Sequence, residues 1–78
     1  MREVMRECRE ALTAQMRAAD IAKGGNMSRV MALAIIAAKL GVSSETIRNW
    51  ERGVSSPRGD KLLEMERLYG RSAEELLK

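Results

Sequence analysis

Ile36-Ala37-Ala38-Lys39-Leu40-Gly41-Val42-Ser43-Ser44-Glu45-Thr46-Ile47-Arg48-Asn49-Trp50-Glu51-Arg52-Gly53-Val54-Ser55-Ser56-Pro57 is the stretch whose reading decides the fold. An alanine-rich apolar helix runs to Leu40 and is stopped at Gly41. After a Gly-Val-Ser turn a shorter helix begins, and two helices joined by a three- or four-residue turn containing Gly form a helix-turn-helix. Ser43 is a suitable N-cap, Glu45 puts a carboxylate near the positive helix end, and Gly53 supplies the left-handed position that ends the helix.

At 100° per residue this second helix has two faces. Ile47, Trp50 and Glu51 fall together on one side, while Glu45, Arg48, Asn49 and Arg52 gather on the other with Ser44 at its edge. The first set is expected to pack and the second to face outward. An isolated run of exposed Glu, Arg and Asn is most often solvated surface, so the outward set gains meaning only from the motif around it.

Gly41-Val42-Ser43, Ile47, Trp50-Glu51-Arg52-Gly53 and Pro57, followed by Leu62-Leu63, Leu68, Gly70 and Ser72-Ala73-Glu74-Glu75-Leu76-Leu77, resemble the lambda-repressor-like, Cro/XRE-type helix-turn-helix family. The resemblance covers about Ala32 to Leu77. Upstream it fails: family members open the first helix of the motif with a polar residue, commonly Gln, that touches phosphate, where this chain reads Val30-Met31-Ala32-Leu33.

The resemblance implies double-stranded DNA as partner, read through the major groove by Ser44, Glu45, Arg48 and Asn49. Arg48 suits guanine, Asn49 adenine, and Glu45 the cytosine amino group. Ser43, Thr46, Arg52 and Arg58 are expected at the sugar-phosphate backbone, with Lys39 and Lys61 as weaker members of that set. It also implies a partly buried pair between Glu51 and a first-helix arginine, for which Arg17 is the candidate. The expected function is a transcriptional regulator, a phage or bacterial repressor binding an inverted repeat as a homodimer. The alternative is a protein-interaction module, such as an antitoxin or adaptor, that keeps the fold.

The rest of the chain supports an all-α bundle of about five helices, forming one domain over residues 1–78. Its 78 residues contain one Trp, one Tyr and no Phe, so the core must be aliphatic, with Ala and Met, which suits close-packed helices better than a sheet. Residues 1–23 read as an extended N-terminal helix with Met1, Val4, Met5, Cys8, Leu12, Met16 and Ala19 recurring at three- and four-residue intervals. This stripe reads as a core helix or as a dimerisation element whose first turns project beyond the domain. Glu3–Arg6 and Arg6–Glu10 have the spacing of helical ion pairs.

Lys23-Gly24-Gly25-Asn26 breaks the pattern, and residues 28–78 form the remaining core. Asn26 or Ser28 caps the next helix, whose apolar faces are Val30, Leu33, Ala34, Ile36, Ala37 and Leu40. A fourth helix is expected over about Gly59 to Tyr69, and Ser72 with Glu75 forms a capping box for the last.

Charge is uneven. Residues 1–27 carry five positive against four negative charges, residues 28–62 six against three, and residues 63–78 three against four. The excess lies on the helix-turn-helix, as a nucleic-acid footprint requires. One Cys and no His leave no internal disulfide and no ordinary zinc site. No Walker loop, Ser/His/Asp set or carboxylate pair suggests catalysis, a cofactor or a small-molecule substrate. Nothing at the N-terminus reads as a signal peptide and no apolar run suggests a membrane span, so a cytoplasmic protein is expected.

Overall fold

Three serines open three of the five helices in the computed structural model, which describes residues 1–78. The helices are α1 (Glu3–Ala22), α2 (Arg29–Leu40), α3 (Ser44–Arg52), α4 (Gly59–Tyr69) and α5 (Ala73–Leu76), with no strand. Ser28 accepts from the Met31 N–H, Ser43 from Thr46 and Ser72 from Glu75, each meeting one of the donors a helix start leaves unpaired. At α5 the capping box is complete, since the Glu75 carboxylate returns to the Ser72 backbone.

Gly41 and Gly53 bracket α3 in the left-handed conformation, with φ of 68° and 80°. At the first, Gly41 donates to Ala38 O and Val42 to Ala37 O; at the second, Gly53 donates to Trp50 O and Val54 to Asn49 O. Both are Schellman closures, in which an L-residue would be strained. The result is a bend of 89° between α2 and α3, at the lower edge of the range a helix-turn-helix uses. No single helix is long and apolar enough to cross a membrane.

The core is the aliphatic one the composition demands: Met5 of α1, Leu33, Ile36, Ala37 and Leu40 of α2, Ile47 and Trp50 of α3, Met65 of α4 and Leu76 of α5. Val4, Cys8, Leu12, Met16, Val42, Leu68 and Tyr69 close around it. Burial raises the Cys8 thiol and Tyr69 phenol pKa values, because it penalises their charged forms.

Several expectations are corrected. The first turns of α1 do not project: Met5 is fully buried, and Arg2 is tied to the far side of the domain. Val30 stands 71% exposed and Ala34 is exposed as well. Nearly every residue of α2 is apolar, so periodicity could not show which stripe its neighbours cover; they cover Ala32, Leu33, Ile36, Ala37 and Leu40. Arg6 pairs with Glu3 rather than Glu10. Ala19 is exposed, and Thr13, outside the expected stripe, is buried.

Candidate nucleic-acid interface

Helix α3 is held from behind by three buried side chains, Ile47, Trp50 and Glu51. Glu51 is the anchor. Its two carboxylate oxygens accept from Arg9 Nε at 2.7 Å and Nη2 at 2.9 Å, a bidentate pair whose hydrogen bonds raise the Arg9 pKa further. The partner expected by sequence was Arg17, and that is corrected. Arg17 lies eight residues beyond Arg9, about 12 Å along a helix rising roughly 1.5 Å per residue. There its Nε donates to Met27 O at 3.1 Å, while Asp20 Oδ2 accepts from the Met27 N–H at 2.8 Å. Arg17 and Asp20 thereby clamp both backbone groups of the residue that leads into α2.

Arg2 is a second anchor, one that sequence reasoning missed. Its backbone N–H donates to Glu51 O, and its guanidinium donates to Trp50 O, Ser55 O and Ser56 Oγ, each at 2.7 Å. The carbonyls left over at the end of α3 thus receive a cation, as the helix dipole favours. Only its position just before an amphipathic helix marks Arg2 in sequence, and that does not reveal a partner some fifty residues away.

The opposite face of α3 carries the outward set. Glu45 and Arg48 are exposed, and Ser44 and Asn49 are half-buried. Arg52 bridges two of them, donating to Asn49 Oδ1 at 2.6 Å and to Glu45 Oε1 at 3.2 Å. Arg48 stands outside that network, in a shallow groove with Arg9, Arg29, Val30 and Leu33. Ser43 and Thr46 join their hydroxyls at 2.9 Å at the start of the helix.

The remaining expected residues are more dispersed. Arg58 is exposed at the N-cap of α4, in extended conformation. Lys61 Nζ reaches over the turn between α2 and α3, so near Gly41 that a Cβ there would lie 2.6 Å from it. An ammonium in this position complements the negative end of α2. Lys39 faces α4 instead, in a groove with Glu64 and Arg67.

An N-capped helix, anchored from behind and set at 89° to the one before it, with amide, carboxylate and guanidinium groups turned outward, defines a helix-turn-helix nucleic-acid-binding protein. A helix-turn-helix family model matches residues 33–76, more than half of the chain, and the protein belongs to this family, in its lambda-repressor-like, Cro/XRE-type branch. It is accordingly a DNA-binding regulator of that kind. No curated protein and no solved structure matches the chain significantly.

Proposed function

We propose that the protein is a sequence-specific repressor that binds an inverted repeat as a homodimer, each copy laying α3 in the major groove. The observation that carries this reading is the outward set Ser44, Glu45, Arg48 and Asn49 on a helix that Glu51 and Arg9 hold rigidly from behind. Arg48 offers a bidentate contact to guanine, Asn49 to adenine and Glu45 an acceptor for cytosine, with Ser44 beside them. Ser43, Thr46, Arg52 and Arg58 then meet the sugar-phosphate backbone, and Lys39 and Lys61 are peripheral. Two copies are needed because one short helix touches few bases, and two recognition helices about 34 Å apart fit successive turns of one groove.

The alternative, an antitoxin- or adaptor-like interaction module, has one observation in its favour. Val30, Met31 and Ile35 on α2 are exposed by 71%, 53% and 36%, large apolar side chains of the kind a protein partner covers.

Selection from a randomised duplex pool, followed by titration of the winner against scrambled DNA, separates the two. The repressor reading expects an enriched inverted repeat bound at least about a thousandfold more tightly than scrambled sequence. Absence of enrichment, with weak binding that vanishes between about 50 and 200 mM salt, would leave only phosphate attraction and remove it.

A further inference from the structure

Three helices open on a capping serine, and the other two, α1 and α4, open on arginine: Arg2 and Arg58 are their N-caps, extended and without a side-chain cap bond. A cation is the wrong charge for the positive end of a helix, and a guanidinium cannot accept from the first turn. An arginine in this position therefore calls for a reason outside its own helix.

Arg58 is exposed. Arg2 is engaged at the opposite end of another helix. Its N–H donates to Glu51 O and its guanidinium to Trp50 O, both in the last turn of α3. The same guanidinium donates to Ser55 O and Ser56 Oγ in the loop that follows. One planar fork thus staples the end of α3 to the middle of the α3–α4 loop.

That joint has little else to hold it. Helices α3 and α4 do not pack on each other, although both pack on α1 and α2. Residues 53–56 are exposed, and beyond the Schellman closure the Ser55 N–H reaches Asn49 O only at 3.4 Å. Arg2 is the one side chain bonded to the loop, and the chain is next anchored at Pro57, which is buried.

The two regions expected at DNA lie across this joint, the outward set of α3 before it and Arg58 after it. A duplex meets both at once, and a loose joint must be ordered on binding, which lowers affinity. We propose that Arg2 is a positioning residue for DNA binding, fixing the α3–α4 joint so that the reading face and Arg58 engage one duplex together. The proposal rests on α3 lying in the major groove with Arg58 at the backbone. The brace comes from outside residues 33–76, the segment that the family model matches.

The test is a binding cycle on scrambled duplex DNA at one salt concentration, with the wild type, Arg2→Lys, Arg58→Gln and the double variant, each checked for folding by urea unfolding. Lysine keeps the charge, and with it the long-range attraction, but its compact ammonium lacks the planar fork. Arg2→Lys is expected to weaken binding about two- to tenfold in the wild-type background, and by less than about 1.5-fold once Arg58 is replaced, because no contact then depends on the joint. An equal loss in both backgrounds, or none in the wild type, would overturn the proposal. Arg58→Gln alone reports whether Arg58 touches DNA, and enrichment from a random pool tests the reading face, so failure of either reading is seen apart from failure of the brace. Ser56→Ala removes one acceptor of the staple from an exposed position and carries the same cycle if Arg2→Lys unfolds. Its loss should be about twofold and confined to the background that retains Arg58; any other pattern overturns the proposal.

Discussion

Two arginine–glutamate pairs touch α3 from opposite sides, and they differ in nearly every physical respect. Arg9 and Glu51 meet through two hydrogen bonds, with side chains 22% and 6% exposed; Arg52 and Glu45 meet through one at 3.2 Å, at 53% and 64%. The first pair is largely withdrawn from water, Glu51 more than Arg9, so removing one partner alone strands the other's charge. The second is screened by solvent and contributes little to stability. It also reaches Asn49, so Arg52 joins two members of the outward set through exposed bonds that water or DNA can replace. The difference teaches how one nine-residue helix is fixed and available at once: rigidity is built behind it, and the exchangeable contacts lie in front.

Breaking the buried pair should have the largest effect. Glu51→Ala is expected to cost about 2–4 kcal/mol in urea unfolding, somewhat below the roughly 3–5 of a fully buried pair because Arg9 keeps some water contact. Arg17→Ala should cost far less, which separates the Arg9 partner from the one sequence suggested. Next is Arg48→Ala, expected to lose about 1–3 kcal/mol of affinity for the selected site and to relax preference at one base position. Arg52→Ala should instead weaken all sequences alike and flatten the salt dependence; the competition titrations that rank Arg48→Ala measure both.

A double-mutant cycle on Glu45 and Arg52 sharpens the comparison from the other side. Its coupling in unfolding should be below about 0.5 kcal/mol, as exposed pairs give. A coupling as large as that of Arg9 with Glu51 would erase the distinction between the faces.

The smallest effect is a pH dependence at the far end of the chain. The Arg71 guanidinium and the Ser72 backbone and hydroxyl hold the Glu75 pKa down to about 2, from an ordinary 4.5. A carboxylate whose pKa is depressed on folding contributes stability above its unfolded pKa and loses it as pH falls through the folded one. The melting-temperature difference between wild type and Glu75→Gln should therefore be complete above pH 4.5 and disappear near pH 2. A difference constant over that window would contradict the cap.

The fold was legible where local chemistry decides it. Ser43, Gly41 and Gly53 state the limits of α3 through a hydroxyl and two left-handed turns, and Ile47 and Trp50 declare its inner face. Distant partners were harder to read. An amphipathic α1 shows its buried stripe but not its register against α3, so Arg9 and Arg17 look alike until the helices are packed. Thr13 was invisible for a related reason, since its burial depends on where α1 meets α2 rather than on its own polarity. In α2 the difficulty is the reverse: with apolar residues almost all round, Val30 and Leu33 differ only in what lies opposite them. The outward set of α3 could be named from sequence, but not the Arg52 bridge that joins Glu45 to Asn49.

The most direct test of the account is a titration of isotope-labelled protein with a duplex carrying the selected site, following each backbone amide by NMR. The largest shifts are predicted from Ser43 to Arg52, while Met65 and Leu76 in the core stay nearly still. Shifts confined to α4 and α5, with α3 unmoved at saturation, would show that DNA is bound elsewhere and contradict the assignment of α3 as the reading helix.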